Sequence, residues 1–387
     1  MTVPSVNWNY PTAIKAGPGR IKELPDWCRE LGMARPLLVT DPGLAALPMI
    51  ADAVRGCRQA GLECGLFHEV KGNPTGRNVD DGVARYREGR HDGVIAFGGG
   101  SALDAAKAIA LMAGQKRPLW DFEDVGDNYL RVNVAGMAPV VAVPTTAGTG
   151  SEVGRASVIT DEAAQVKRII FHARMLPAIV ILDPELTVGL PPRITAATGM
   201  DALSHNLEAY CSPFFHPMAA GIALEGMRMI KEYLPRAVAD GADLQARQQM
   251  LVASSMGATA FQRGLGAMHA LAHPLGALYD AHHGMLNAIL MPYVLKANQH
   301  AVAPRLQALA RYLALPDDGP GAVLDWVLGL RETVGIPHTL ADIGIDAAQA
   351  ERVGRMASED PSGGTNPVAY TPDQYAELFR AAVRGIL

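Results

Sequence analysis

The stretch that decides the fold of the first half of the chain reads Gly93-Val-Ile-Ala-Phe-Gly98-Gly-Gly-Ser101-Ala-Leu-Asp104-Ala-Ala-Lys107. Its apolar run Gly93–Phe97 predicts a strand that is buried on both faces, and residues 102–113 have apolar residues at helical spacing. The three glycines between them let the backbone approach an anion closely, next to the positive end of a helix. A plain turn, or a variant capping box of Ser101 with Asp104, explains the same residues without a ligand. The stretch therefore predicts a strand–loop–helix unit and a candidate phosphate site.

The rest of the first half repeats this alternation of short apolar runs and amphipathic helical runs. Continuous apolar strands of this kind are typical of a parallel sheet that is covered by helices. We predict an α/β, Rossmann-like domain with a mostly parallel sheet. The other predicted strands are Pro36–Thr40, Leu62–Val70, Pro139–Val143 and Ala178–Leu182, and the other predicted helices cover residues 45–60 and 77–89.

The pattern changes after Pro184, because almost every later segment has apolar residues at a 3.6-residue period. We predict no strand beyond Leu182 and therefore an all-α C-terminal domain. Residues 1–185 are assigned to the nucleotide-binding domain and residues 186–387 to the helical domain. The clearest helical segments cover residues 219–239, 244–261, 285–299, 303–313, 322–334 and 373–386.

Composition restricts the classes of function. The 387 residues are 49% hydrophobic and 19% charged, which is typical of a globular protein, and the net charge of −5 argues against nucleic acid as a partner. The cysteines Cys28, Cys57, Cys64 and Cys211 lack a CxxC spacing, so we expect buried free thiols. Residues 1–8 do not resemble a signal peptide, and no apolar run approaches the roughly 18–20 residues that span a bilayer. We therefore predict a cytoplasmic protein without a membrane partner.

A second polar loop, Pro144-Thr-Thr-Ala-Gly-Thr-Gly-Ser-Glu152, follows a later strand. Its hydroxyls and glycines suit a phosphate, a ribose or a carboxamide, although ordinary loops use the same residues. The first strand ends in Thr40-Asp41-Pro42-Gly43 and lacks the usual GxGxxG fingerprint. Two polar loops that each follow a strand nevertheless favour a nucleotide site at the carboxyl ends of the strands.

Histidines are concentrated in two helical segments of the second half. Asp201 and His205 are four residues apart and project from one helix face, and His269 and His273 repeat this spacing. His282 and His283 follow, and spacing alone does not separate them. An Asp and three His that converge would bind a divalent transition metal, whereas two helices with incidental histidines are the simpler alternative.

The chain resembles the iron-containing (group III) alcohol dehydrogenases, which have the dehydroquinate synthase-like fold. The matching motifs occur in family order over almost the whole chain. They are Asn73-Pro-Thr75, Gly98-Gly-Gly-Ser-Ala-Leu-Asp104, Pro144-Thr-Thr-Ala-Gly-Thr-Gly-Ser-Glu-Val153, Gly199-Met-Asp-Ala-Leu-Ser-His205, and His269-Ala-Leu-Ala-His-Pro-Leu-Gly276 with His283-Gly284.

The resemblance implies which residues form the site. The metal ligands would be Asp201, His205, His269 and His283, whereas His273 would lie beside the nicotinamide and the substrate as a catalytic proton relay. The metal would be Fe²⁺, with Zn²⁺ as the alternative. The residues that would bind the cofactor are Asn73, Gly98, Gly99, Ser101, Asp104, Thr145, Thr146, Thr149 and Lys167.

Asp41 carries the prediction of cofactor preference. A carboxylate at the end of an early strand binds the adenosine ribose hydroxyls and repels a 2′-phosphate, so we predict NAD rather than NADP. Shaping of a turn beside Pro42-Gly43 is the alternative role. The segment between Phe261 and His269 is one residue shorter than the common family form, so substrate-pocket residues do not carry over. Arg263 within it suits an acidic substrate, or else a surface cap or ion pair.

The predicted function is a metal-dependent, NAD-linked alcohol dehydrogenase or aldehyde reductase. The metal polarises the carbonyl or alkoxide oxygen, and C4 of the nicotinamide transfers the hydride. The partner is a small alcohol or aldehyde, and family resemblance implies a homodimer or a larger homo-oligomer. The alternatives are a maleylacetate reductase-like enzyme, a hydroxy-acid or semialdehyde reductase, a dehydroquinate synthase-like lyase, and a non-catalytic metal-binding protein.

Overall fold

The computed structural model describes residues 6–8, 12–319 and 321–387, and for residues 6–8 it describes the backbone. Residues 1–5, which belong to the segment predicted not to be a signal peptide, lie outside the described residues. The chain forms two compact units, one of residues 1–146 with 151–189 and the other of residues 147–150 with 190–387. Within the described part of the chain, no helix is long and apolar enough to cross a membrane.

The first unit contains a seven-stranded sheet in the order β1-β2-β9-β6-β5-β3-β4. All neighbouring strands pair in parallel except β1, which is antiparallel to β2. Because β3, β5 and β6 are parallel neighbours, the loops that follow them lie along one edge of the sheet. The strands are β1 Val6–Trp8, β2 Ala13–Ala16, β3 Pro36–Val39, β4 Gly65–Phe67, β5 Gly93–Gly98, β6 Val140–Pro144 and β9 Ile179–Leu182.

Helices cover this sheet because its central strands are apolar on both faces. Every residue of β3, β5, β6 and β9 is buried. On one face, Leu38, Ile95 and Val141 pack in a core with residues of two of the helices, such as Leu24 and Ile50. The five helices are α1 Leu24–Glu30, α2 Pro42–Ala45, α3 Pro48–Gln59, α4 Gly76–Glu88 and α5 Gly100–Met112.

Three features of the first unit differ from the sequence predictions. The helix predicted over residues 45–60 begins only at Pro48, as α3, because Pro48 holds Leu47 in an extended conformation, and Ala45 instead ends the short helix α2. The predicted strand Leu62–Val70 is longer than the observed strand β4, which pairs with β3 over three residues. An antiparallel hairpin, β7 Ala156–Asp161 and β8 Val166–Phe171, was not predicted. In β7, buried residues alternate with half-buried ones, so it lacks the continuous apolar run of the central strands.

The second unit consists of helices, and beyond Leu182 the described part of the chain has no further strand. This confirms the predicted fold class of an α/β domain followed by an all-α domain. Helix α6 is buried from Thr195 to Cys211 on all sides, so it lies inside the helical unit. The helices are α6 Pro192–Cys211, α7 Pro217–Ala239, α8 Leu244–Ala260, α9 Ala267–Tyr279, α10 His283–Asn298, α11 Ala303–Tyr312, α12 Ala322–Thr333, α13 Ala350–Glu359 and α14 Pro372–Arg384.

The four cysteines are buried and free, as the sequence predicted. They come from both units and their thiols form no disulfide.

Candidate functional site

Three helices of the second unit bring one carboxylate and three imidazoles together. Asp201 and His205 lie one turn apart on α6, His269 lies in the first turn of α9, and His283 is the first residue of α10. One ligand atom from each of these residues lies within 4.8 Å of the other three. Asp201, His205 and His269 are buried, and the His283 side chain is 25% exposed. The four residues therefore form a compact cluster of donor atoms, of which His283 is the most exposed member.

Hydrogen bonds fix which nitrogen of two of these histidines faces the cluster. Nδ1 of His205 lies 3.2 Å from the carbonyl oxygen of Gly148, and Nδ1 of His269 lies 2.7 Å from Oε2 of Glu208. Each Nδ1 therefore carries the proton and donates it, which leaves the lone pair of Nε2 for a metal. Burial lowers the pKa of His205 to about 4, so this ring is neutral at neutral pH.

The pKa of His269 shifts the other way. Burial alone would lower it, but the charge of Glu208 and its hydrogen bond raise it above the usual value. In the protonated ring, Nε2 carries the second proton. A cation bound at Nε2 would take the place of that proton. The Glu208 carboxylate therefore stabilises positive charge on the His269 side of the cluster.

The structure separates His283 from His282. Nε2 of His283 lies 3.8 Å from Oδ1 of Asp201. Nδ1 of His282 instead accepts a hydrogen bond of 3.3 Å from the backbone N–H of Met285, so His282 caps the N-terminus of α10. Of the two adjacent histidines, His283 is thus the one that contributes to the cluster.

His273 lies beside the cluster and outside the group of four. Its ring is stacked on that of His283, with centroids 5.5 Å apart, and its Nδ1 donates to Oδ2 of Asp360 at 2.8 Å. Burial alone would raise the pKa of Asp360, but His273 and the backbone N–H of Ser362 lower it. The ionised Asp360 thus orients the ring of His273 through Nδ1, and the Nε2 atom of His273 takes no part in this hydrogen bond.

Two polar residues at the cluster were missed from the sequence. Glu208 follows His205 by three residues and Asn287 follows His283 by four, so each shares a helix face with a histidine of the cluster. Nδ2 of Asn287 lies 2.8 Å from Oδ1 of Asp201 and 3.1 Å from Nε2 of both His269 and His283. The helical spacing indicates a shared face in each case, but it does not show which side chain either residue contacts.

The donor set fits a divalent transition metal. Three imidazole nitrogens with one carboxylate oxygen suit Fe(II) and Zn(II), whereas Mg²⁺ and Ca²⁺ prefer oxygen ligands throughout. Burial supports this fit, because the buried Asp201 carboxylate is costly unless a cation or hydrogen bonds compensate its charge.

The glycine loop of the first unit begins α5. Gly98 has a φ of 148°, and a Cβ at this position would lie 2.8 Å from the Cβ of Ala102, so glycine is required there. Gly99 is the N-cap of α5 and Ser101 lies inside the helix, where its hydroxyl donates to the carbonyl oxygen of Gly72. The capping-box alternative for Ser101 is therefore wrong. Thr145 and Thr146 follow β6, the neighbour of β5, and the Thr145 N–H donates to the Gly98 carbonyl at 2.9 Å.

Asp41 lies next to this loop. Its Oδ1 accepts a hydrogen bond of 2.9 Å from the N–H of Leu44 and caps α2, as the turn-shaping alternative predicted. The Oδ2 atom of Asp41 lies close to Gly98, because a Cβ atom added to Gly98 would be 3.7 Å from it. A cap and a ligand contact are compatible here, because each uses a different oxygen.

The remaining predicted cofactor residues are tied to other parts of their units. Nζ of Lys167 on β8 donates to Oδ1 of Asn73 at 2.9 Å. Asp104 accepts from Oγ of Ser151 at 2.5 Å and from the N–H of Val158 at 2.9 Å, so it joins α5 to the hairpin. Thr149 belongs to the segment 147–150 of the second unit.

Arg263 is buried, so the alternative that it forms a surface cap or ion pair is wrong. It is 6% exposed, and its Nε donates to the carbonyl oxygen of Phe214 at 2.7 Å. Burial lowers the pKa of its guanidinium.

Comparisons with known proteins identify the family. The family model of the iron-containing alcohol dehydrogenases matches residues 11–184. The family model of the C-terminal region of the same family matches residues 195–383. The chain is 39% identical over 386 residues to a 4-hydroxybutyrate dehydrogenase of Cupriavidus necator, covering 97% of this chain and 99% of that protein. A crystal structure of a 1,3-propanediol oxidoreductase superposes with a TM-score of 0.90 at 34% identity and covers 99% of this chain and 100% of that one.

A sulfoacetaldehyde reductase from Bifidobacterium kashiwanohense, solved in complex with NAD⁺, has a TM-score of 0.86 at 29% identity and covers 99% of both chains. Both halves of the chain thus match the family, and the similarity extends over its whole length. The chain belongs to the iron-containing alcohol dehydrogenases and is an oxidoreductase of that type.

Proposed function

We propose that this enzyme interconverts a small primary alcohol and its aldehyde with NAD(H), at a divalent metal held by Asp201, His205, His269 and His283. The observation that carries the proposal is the convergence of these four ligand atoms within 4.8 Å of one another. When bound, the metal would act as a Lewis acid on the substrate oxygen, and C4 of the nicotinamide would supply or accept the hydride. By family membership we propose Fe(II) as the metal.

The side chains around the centre have complementary roles in this proposal. Gly148 and Glu208 hold the Nδ1 protons of His205 and His269, so that both rings present Nε2. His273, oriented by Asp360, would exchange the hydroxyl proton with solvent, because an imidazole ring can both accept and donate a proton. A strong protein base is unnecessary, since a Lewis acid lowers the pKa of the alcohol.

The first unit would bind the cofactor along the edge where β3, β5 and β6 end. Asp41, Thr145 and Thr146 lie in the loops that follow β3 and β6, Gly98 is the last residue of β5, and Gly99 and Ser101 lie at the N-terminus of α5. Asn73, Asp104, Thr149 and Lys167 complete the proposed set, with Asp104 acting through the position of α5. The predicted homo-oligomer and the predicted cytoplasmic location remain predictions.

The substrate class follows from the relatives. A 4-hydroxybutyrate dehydrogenase and a 1,3-propanediol oxidoreductase are named for substrates with a primary alcohol and a second polar end. We therefore propose a short diol or other uncharged alcohol with a second polar end as the substrate. A hydroxy acid with its semialdehyde is the second candidate, because the chain is 39% identical to the 4-hydroxybutyrate enzyme over 97% of its length.

An aldehyde and alcohol panel with NADH or NAD⁺ tests the proposal, after reconstitution with Fe(II) or Zn(II) under anaerobic conditions. Net NADH oxidation with a C3 or C4 aldehyde is expected. Absence of net turnover across the panel, in protein with a full complement of metal, would support a lyase that recycles NAD and would contradict the proposal.

The Asp41 carboxylate is expected to make the wild-type enzyme prefer NADH over NADPH. Replacing Asp41 by asparagine keeps an N-cap side chain for α2 but removes the charge that repels a 2′-phosphate. We expect the NADH-to-NADPH ratio of kcat/KM to fall at least about tenfold, since about 1.4 kcal/mol of repulsion has this effect. Steady-state kinetics with both cofactors measures it.

Asp41→Ala is the matched control, because it loses both the charge and the cap. It should shift the ratio similarly but also lower the melting temperature. A wild-type enzyme that uses NADPH as well as NADH would refute this role of Asp41.

A further inference from the structure

Glu208 receives three hydrogen bonds from the helix that carries His269. Its Oε2 accepts from the N–H of Gly266 at 2.8 Å and from Nδ1 of His269 at 2.7 Å, and its Oε1 accepts from the N–H of Met268 at 2.7 Å. The residue is 4% exposed. One buried carboxylate on α6 thus holds both the start of α9 and the ring of the histidine in its first turn.

This arrangement links the ligands of two helices. Asp201, His205 and Glu208 are spaced four and three residues apart on one face of α6. The first two contribute donor atoms to the cluster directly, and the third reaches the cluster through His269. The position of the α9 ligand relative to the α6 ligands is therefore fixed by a side chain of α6 itself.

The hydrogen bond also determines the tautomer. A carboxylate that accepts the proton of Nδ1 leaves Nε2 without a proton, and an imidazole binds a metal through an unprotonated nitrogen. Nε2 of His269 lies 3.1 Å from Nδ2 of Asn287, which itself contacts Oδ1 of Asp201, so it faces the other ligands. Without Glu208, the proton would be free to move to the nitrogen that must coordinate.

The charge of Glu208 also bears on how the site would hold a cation. Asp201 is the carboxylate inside the ligand set and Glu208 is the carboxylate one ring away. Together they carry two negative charges, which match the charge of a divalent cation in a buried site. Because charges in such a site are weakly screened, both carboxylates contribute to holding the cation.

We propose that Glu208 is a positioning residue of the metal centre, which sets the tautomer and orientation of His269 and supplies the second balancing charge. This inference rests on the proposed metal site and assigns to it a residue outside the ligand set. Glu208 touches neither substrate nor cofactor in this role. Its effect is therefore expected first in metal affinity and then in turnover.

The N-terminus of α9 provides a matched control. Glu208 accepts hydrogen bonds from the N–H groups of Gly266 and Met268. The N–H of Ala267, between these two, donates instead to Oδ1 of Asn366 at 3.1 Å. Asn366→Ala thus removes a cap from the same helix end and leaves His269 with its partner. It reports what the loss of helix capping alone does to the centre.

The experiment measures the dissociation constant of Zn(II) by chelator competition, and the melting temperature, for the full-length wild type, Glu208→Gln, Glu208→Ala and Asn366→Ala. Glu208→Ala is expected to weaken Zn(II) binding by roughly 10- to 100-fold, as is typical of lost outer-shell partners of metal-binding histidines. Glu208→Gln, which keeps an acceptor oxygen without the charge, should fall between it and the wild type. Asn366→Ala should lower the melting temperature but keep the wild-type affinity within about threefold.

Three results would overturn the inference. Wild-type affinity in Glu208→Ala would show that Glu208 does not act on the centre. An Asn366→Ala variant that loses as much affinity as Glu208→Ala would assign the whole effect to the helix end. A wild-type protein that binds no Zn(II) and no Fe(II) would remove the proposed metal site together with this inference, so the two failures are distinguishable.

Discussion

Replacing His283 by alanine is expected to release the metal and to lower turnover at least about 10³-fold, because a Lewis-acid cation stabilises the transition state by several kcal/mol. Nε2 of His283 lies 3.8 Å from Oδ1 of Asp201, and the ring is the partly exposed member of the cluster. Its removal leaves three donors and opens the centre to water. Metal analysis after gel filtration, together with steady-state kinetics, measures both effects.

The neighbouring histidine supplies the control. His282 caps α10 through Nδ1, and asparagine is a good N-cap, so His282→Asn should keep both metal and activity. A His283→Ala variant that retains the full metal content would remove this residue from the ligand set. Loss of metal in His282→Asn, with metal retained in His283→Ala, would assign the ligand to the other member of the pair.

His273→Ala is expected to lower kcat by about 10² to 10⁴ while the metal content stays at the wild-type level. The reason is that Nδ1 of His273 is held by Asp360, which leaves Nε2 to exchange a proton next to the cluster. Metal analysis and kcat are measured on the same preparation. Added imidazole should restore part of the activity of this variant, since it can enter the space of the missing ring.

This prediction separates the two interpretations of the α9 histidines. A His273→Ala variant that loses its metal as His283→Ala does would make His273 a ligand, as its spacing from His269 first suggested. Unchanged kcat with unchanged metal content would remove His273 from the mechanism.

The central strands of the fold were predictable because burial on both faces leaves a clear trace in the sequence. The residues of β5 and β6 are apolar without interruption, and the predicted ends differ from the observed ones by one residue. Helices of the second unit that are buried on one face, such as α7, α11 and α14, have a similarly clear signal, because their apolar residues recur at a 3.6-residue period. Helix α6, which is buried on all sides, lacks this one-sided pattern.

The rest of the fold depends on weaker signals. Buried and half-buried residues alternate in β7, and in β8 only Ile170 is buried. Polar residues such as Thr160, Lys167 and Arg168 interrupt the apolar character of the hairpin. The break between α2 and α3 was readable from Pro48, whose steric effect on Leu47 excludes a continuous helix there.

The candidate site was predictable as a set of ligands and much less as a set of contacts. Motif matching indicated Asp201 and His283, but the distinct roles of His282 and His283 depend on which ring reaches the cluster in three dimensions. Glu208 was missed because a carboxylate inside a helix is usually exposed, and its partners lie about 60 residues further along the chain. Such long-range hydrogen bonds leave no local pattern in the sequence.

The most direct test of metal-dependent hydride transfer uses NADH that carries deuterium at the transferred position of nicotinamide C4, with a four-carbon aldehyde as the substrate and the Fe(II)-reconstituted enzyme. One deuterium is expected on the carbinol carbon of the product, and removal of the metal by a chelator should stop the transfer. Transfer at an undiminished rate in protein shown to be free of metal would contradict this mechanism, as would a fully metallated enzyme whose product carries no deuterium.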